Sequence, residues 1–160
     1  MASSKNISID LNTVQLRPMH ESDISRVREL EIQAYQFPWS RQIISDCIRS
    51  GYSCWVAESF YQIEGYGVLT VAAGESHILN VCVNPVLHQQ GLGRHIVNHL
   101  LDVARDHHAE VAFLEVRPSN QAAYNLYSSM GFNEVGQRKN YYPAKGGTRE
   151  DALIMAFSLL

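Results

Sequence analysis

Cysteine is scarce in this chain, and what there is does not pair. Cys47, Cys54 and Cys82 are odd in number and form no Cys-x-x-Cys, which argues against a disulfide framework or a four-cysteine zinc site and leaves buried reduced thiols as the expectation. No apolar run approaches the roughly 20 residues needed to span a bilayer. Met1-Ala2-Ser3-Ser4-Lys5-Asn6 lacks the apolar stretch of a secretion signal. A cytoplasmic protein without membrane contact is expected. Positive charge is not in excess either: 13 Lys and Arg face 16 Asp and Glu, a net charge of −3, which disfavours direct nucleic-acid binding. Low-complexity tracts, repeats and linkers are also missing. At 160 residues the chain suits one domain, expected over residues 13–160 behind a flexible extension of residues 1–12, with a monomer favoured.

Hydrophobic periodicity supplies the elements. Val14 to Arg17 alternates as a first strand. Ile24, Val27, Leu30 and Ala34 share a helical face, with Ser22 or Asp23 available as its cap. Pro38 interrupts, and Ser40 caps a short second helix through about Arg49. Strands are predicted over 53–58, 65–73 and 77–84, an antiparallel meander with turns at Phe60–Glu64 and Gly74-Glu75. A helix of about 16 residues then opens at Gly91, on the apolar stripe Leu92, Ile96, Leu100, Val103 and Ala104. The short apolar run Val111–Val116 reads as a strand, and 120–130 as a helix closed by Gly131. Two last strands, near 132–140 and 151–159, flank a Pro/Gly turn. The order β-α-α-β-β-β-α-β-α-β-β predicts a single-domain α/β fold, a mostly antiparallel seven-stranded mixed sheet with helices on both faces.

The segment Val83-Asn84-Pro85-Val86-Leu87-His88-Gln89-Gln90-Gly91-Leu92-Gly93-Arg94 joins a strand to a helix and contains Gly-x-Gly. The first turn of a helix has N–H groups without helical acceptors and a partial positive charge, so an anion is favoured there. Glycines let backbone approach a phosphate closely. A tight turn would use the same glycines. A dinucleotide fingerprint is excluded because Ile96 occupies the third glycine position, and a P-loop because Gly-Lys-Ser/Thr is missing.

With these residues the chain resembles the GNAT family of N-acetyltransferases, whose hallmark is Gln/Arg-x-x-Gly-x-Gly/Ala opening the third helix. His88 replaces the first residue of that pattern. The resemblance implies acetyl-coenzyme A as acetyl donor, with no metal. It implies that Gln89, Gln90, Gly91, Leu92, Gly93 and Arg94 hold the diphosphate. Val81, Cys82 and Val83 would run beside the pantetheine arm, and a main-chain amide there would receive the thioester oxygen.

Acetyl transfer to an amine needs two proton movements. An α-amino group, with a pKa of about 7.7–8.0, must lose a proton, and a thiolate leaving group must gain one. A carboxylate and a phenol suit these tasks. Glu115 interrupts an apolar strand on the face of Val111 and Phe113. A buried carboxylate needs a partner or a task; an ion pair with Arg117 or Arg138, or a strand end emerging into solvent, would equally account for it. Tyr127 by itself reads as a half-buried helix tyrosine packing on the core. The stretch Leu114-Glu115-Val116-Arg117-Pro118-Ser119-Asn120, followed by Leu126-Tyr127 and Met130-Gly131-Phe132, resembles the branch of the family that acetylates the N-terminal alanine of a ribosomal protein in bacteria. That resemblance implies Glu115 as general base through a water, Tyr127 as general acid, and Asn120 as a hydrogen-bond partner of the coenzyme, with Tyr124 left to packing.

Phe37-Pro38-Trp39-Ser40, Asn140-Tyr141-Tyr142-Pro143 and Arg149-Glu150-Asp151-Ala152 match the same branch, so the likeness covers nearly all of the chain after its first dozen residues. It implies that Phe37, Trp39, Tyr141 and Tyr142 flank the acceptor, by direct attack in a ternary complex; Phe37 and Trp39 could equally staple two helices together. Other acceptors, a lysine side chain or a small amine, and a non-catalytic acyl-coenzyme A sensor remain as alternatives. His95 and His99 sit four apart but lack the metalloprotease glutamate, so a solvated helix face is expected rather than a metal site.

Overall fold

The computed structural model describes residues 7–160; the six residues judged for a secretion signal lie outside them. Among the described residues, seven strands and four α-helices run as β1 (Gln15–Pro18), α1 (Ile24–Ala34), α2 (Arg41–Arg49), β2 (Ser53–Ser59), β3 (Gln62–Ala72), β4 (Glu75–Val83), α3 (Leu92–Asp106), β5 (Val111–Val116), α4 (Gln121–Met130), β6 (Asn133–Pro143) and β7 (Arg149–Ser158). The strands join one sheet in the order β1-β2-β3-β4-β5-β7-β6. Glu75–Ile78 of β4 pair in parallel with Val111–Leu114 of β5, and β1–β2, β5–β7 and β6–β7 pair antiparallel. A parallel pair cannot be closed by a tight turn, and α3 supplies the crossover.

Local chemistry explains the boundaries. Ser40 Oγ accepts the Ile43 N–H at 3.2 Å and starts α2. Asn120 Oδ1 accepts the Ala123 N–H at 3.2 Å and starts α4. Gly131, at φ +107°, takes the left-handed conformation that ends it. The β2–β3 connection differs from expectation. It is a two-residue turn, Phe60-Tyr61, with both residues left-handed at φ 49° and 64°. Such turns usually carry Gly or Asn, so two aromatics hid it and β3 begins three residues earlier than its glycine suggested.

The chain divides into two compact units. The first combines the described part of Met1–Gly67 with Val81–Ile96, and its buried side chains include Val27, Leu30, Ile44, Val56, Tyr66, Leu92 and Ile96. Arg17 donates to Asp23 at 2.8 Å and to Glu58, and its guanidinium holds the Asp23 carboxyl below its ordinary range. Within the N-terminal extension, Asp10 caps the turn Leu11–Thr13, and Gln90 bonds the backbone of Ile7 and Ile9. The second unit combines Val68–Asn80 with Val97–Leu160, and buries Leu100, Ala104, Ala112, Leu114, Val116, Phe132, Ala152 and Met155. The three thiols are unpaired and buried; burial pushes Cys54 up to about 12 and raises Cys47 and Cys82 as well. No described helix is long and apolar enough to cross a membrane.

Candidate active site

In the first unit, β4 ends at Val83 and the chain turns by a capped step. Asn84 Oδ1 accepts the Val86 N–H at 3.2 Å, while its Nδ2 donates to Glu64 Oε2 at 2.9 Å and its backbone N–H to the Glu64 carbonyl at 2.8 Å. His88, which departs from the glycine-loop pattern, turns its ring back, with Nε2 3.2 Å from the Val83 carbonyl oxygen. The loop then places Gln89 at φ 63° and Gly91 at φ 87°. The His95 N–H bonds the Gly91 carbonyl at 3.0 Å, so the amides ahead of it point out along the axis of α3 rather than to a helical acceptor. The side chain of Leu92 is buried, leaving its main chain as what a ligand could meet. Gln90's side chain is engaged by the backbone of Ile7 and Ile9. α3 starts at Leu92, one residue later than predicted. His95 and His99 are half-buried rather than solvated.

The β4 segment Val81–Val83 is positioned by its neighbours. Tyr35 OH donates to the Val81 carbonyl. A Cβ on Gly65 would stand 2.8 Å from both the Cys82 carbonyl oxygen and Ile96 Cδ1, so only glycine lets β3, β4 and α3 come this close.

The loop between α1 and α2 is gripped from α1. Glu31, 1% exposed, accepts the Trp39 N–H at 2.9 Å and the Tyr66 hydroxyl at 2.5 Å. Arg28 Nη1 donates to the Trp39 carbonyl at 2.6 Å. Burial, then the Glu31 charge, pushes the Tyr66 phenol well above its ordinary value. Phe37 is exposed and Trp39 half-buried. Glu31 escaped the sequence reading, although a signal existed: it lies four residues after Val27 and seven after Ile24, on the apolar stripe itself.

In the second unit, β5 alternates as its sequence requires, with Ala112, Leu114 and Val116 buried and Val111, Phe113 and Glu115 half-open. Of the two arginines that could pair with Glu115, Arg138 does so, its Nε 2.7 Å from Oε1. Arg117 instead donates to the Pro143 carbonyl at 2.7 Å, approaches Glu150 at 3.4 Å and lies 4.3 Å above the Tyr142 ring. Tyr127 is buried and stacks edge-on with Phe132 at 5.7 Å. Burial raises its phenol to about 12. Tyr141 and Tyr142 meet edge-to-face at 4.9 Å. Burial, then the Glu115 charge, raises both phenols, and Tyr127 acts on Tyr142 in the same direction. One cluster therefore contains Glu115, Tyr127, Tyr141 and Tyr142. Tyr124 is half-buried on the preceding turn of α4.

Arg149-Glu150-Asp151 holds that cluster's rim. Arg149 donates to the carbonyls of Asn140 and Tyr141 at 2.8 and 2.9 Å, and Asp151 accepts the Asn140 N–H at 2.8 Å. Together they secure an irregularity in β6 between Arg138 and Tyr142, where Asn140 is left-handed at φ 53°. Glu150 accepts from Ser119 Oγ at 2.8 Å and Ser119 N–H at 3.1 Å, fixing the approach to Asn120. Asn120 spends Oδ1 on its cap, so its Nδ2 is the group available as a donor.

Comparison with known proteins adds four findings. The sequence profile of the Acetyltransferase (GNAT) family matches residues 19–132. Over 149 residues the chain is 34% identical to the ribosomal protein bS18-alanine N-acetyltransferase of Escherichia coli, covering 93% of this chain and 99% of that protein. The crystal structure of the Escherichia coli ribosomal-protein-alanine N-acetyltransferase aligns with a TM-score of 0.84, covering 91% of this chain and 94% of that one. The fold is shared at lower identity, 20% with a TM-score of 0.76, by a Salmonella typhimurium acetyltransferase solved with its cofactor acetyl-CoA.

Proposed function

The chain belongs to the GNAT acetyltransferase family, and from that premise we propose that it moves acetyl from acetyl-coenzyme A to the N-terminal alanine amine of a small-subunit ribosomal protein. The observation carrying this reading is the second-unit cluster, in which a half-open carboxylate acts on Tyr141 and Tyr142, and Tyr142 in turn neighbours the buried Tyr127 phenol. The acceptor class comes from the relative that shares 34% identity across nearly the whole chain.

The glycine loop fits a diphosphate, because its left-handed residues and the start of α3 turn main-chain amides toward an anion. The donor, when bound, supplies a thioester whose C–S bond breaks as the amine forms its C–N bond. Amides of Gln89 to Arg94 grip the diphosphate, Val81 to Val83 line the arm, and Asn120 donates through Nδ2. Phe37 and Trp39 on the first unit, and Tyr141 and Tyr142 on the second, are the aromatics assigned to the acceptor. Glu115 takes the ammonium proton through a water. Its bond to Arg138 is an exposed ion pair, with 55% of the arginine side chain in solvent, a class contributing about 0–1 kcal/mol. The acceptor's own cation can therefore replace it. Tyr127 gives its proton to the departing sulfur. With a pKa near 12 the phenol is fully protonated at neutral pH, as a proton donor must be.

Mass spectrometry of peptides incubated with enzyme and acetyl-coenzyme A tests the reading. Acetyl on the α-nitrogen of an alanine-initiated ribosomal-protein peptide is expected. Label confined to lysine side chains or a polyamine would replace the acceptor, and no label with any amine would remove catalysis.

A further inference from the structure

Gln90 lies between two left-handed residues, Gln89 at φ 63° and Gly91 at φ 87°. That conformation is disfavoured for a non-glycine residue such as Gln89, so contacts that hold the loop matter. The surroundings here come from a segment more than 80 residues away in sequence. Gln90 Oε1 accepts the Ile9 N–H at 2.8 Å, and Gln90 Nε2 donates to the Ile7 carbonyl at 2.9 Å. One side-chain amide thus joins an acceptor and a donor two residues apart, as a residue of a neighbouring parallel strand would. Leu11 lies close by, its Cδ1 3.3 Å from where a Cβ on Gly91 would stand. The segment is itself anchored, by Asp10 capping the Leu11–Thr13 turn and by Thr13 Oγ1 lying 2.7 Å from Ser59 Oγ.

We propose that residues 7–13 form a brace that pre-sets the donor loop, with Gln90 as the positioning residue linking brace to loop. The inference rests on reading residues 89–94 as the diphosphate site. It assigns the Gln90 side chain to the protein's own backbone and leaves its main-chain amide to the ligand. A loop already in its bound shape loses less conformational freedom on binding. The brace therefore acts on donor affinity and leaves the proton transfers alone.

Calorimetric titration of coenzyme A into the full chain, wild type and variants, tests this. Gln90→Leu removes both bonds at similar volume, and Ile9→Pro removes the N–H that Gln90 accepts. Each is expected to weaken binding by about three- to tenfold and to raise the donor KM in parallel, with kcat at saturating donor within about twofold. The double variant should bind no more weakly than the weaker single one, because both changes cut the same link. Unchanged affinity in the single variants would overturn the brace. So would penalties that multiply in the double variant, which would mean that Gln90 reaches the donor independently of residue 9. Wild-type protein without affinity for coenzyme A would sink the donor-loop reading and the brace together. A chain beginning at Asp10 repeats the measurement should Ile9→Pro not fold.

Discussion

In the first unit Glu31 lies on the buried stripe of α1, in the second Glu115 interrupts the apolar run of β5, and the two are held in opposite ways. Glu31 is 1% exposed and is locked by the Tyr66 hydroxyl from β3 and by the Trp39 main-chain N–H from the α1–α2 loop. Glu115 keeps 25% of its side chain in solvent, and its partner Arg138 reaches it from an exposed strand. A carboxylate with permanent donors fixes geometry. A carboxylate with a replaceable partner can take another one.

That contrast can be broken experimentally. The largest effect is expected at Glu115→Gln, with kcat lowered by about 10–10⁴-fold and coenzyme binding near normal; Tyr127→Phe should behave alike. Wild-type turnover in both, measured at saturating substrates, would erase the division of labour. Next, Glu31→Ala removes the acceptor from two buried donors and leaves a cavity, so urea unfolding should show a loss of about 2–4 kcal/mol. An unaltered midpoint would mean the lock carries no strain-bearing role.

A third test uses alkali. The Tyr127 phenol ionises near 12 when folded and near 10 when unfolded. Its contribution is complete below pH 10 and is lost as pH rises through 12, about 3 kcal/mol in all. Tyr127→Phe should flatten that part of the stability–pH curve, and an unchanged slope would refute the assignment. The smallest effect belongs to Arg138→Ala, which should cost less than about 1 kcal/mol of stability. A larger loss in thermal melts would make Glu115 structural, like Glu31.

Much of this was readable from residues. Ser40, Asn120 and Gly131 mark their helix ends because each supplies a specific cap or backbone conformation, and the short run Val111–Val116 gives β5 its bounds. The partner of Glu115 was narrowed to two arginines, but choosing between them needs the strand register that brings Arg138 opposite Ala152 on β7. Left-handed Phe60, Tyr61 and Asn140 left little trace, since two of them are residue types that rarely adopt that conformation. The Gly65 contact with Cys82 and Ile96 depends on three elements at once, which no local pattern encodes. Gln90's attachment to Ile7 and Ile9 was hidden for the same reason: a side-chain amide bonding to backbone sets no sequence preference at the far end.

The irregularity at Asn140 has a consequence for solubility. β6 ends the strand order and is exposed along nearly all of its length, so its outer row of peptide groups would invite pairing with another molecule's strand. Interrupting the ladder between Arg138 and Tyr142, with Arg138 and Lys139 beside the break, makes that border a poor template for aggregation. The break that leaves Asn140 left-handed thus also interrupts the one strand border that β6 exposes.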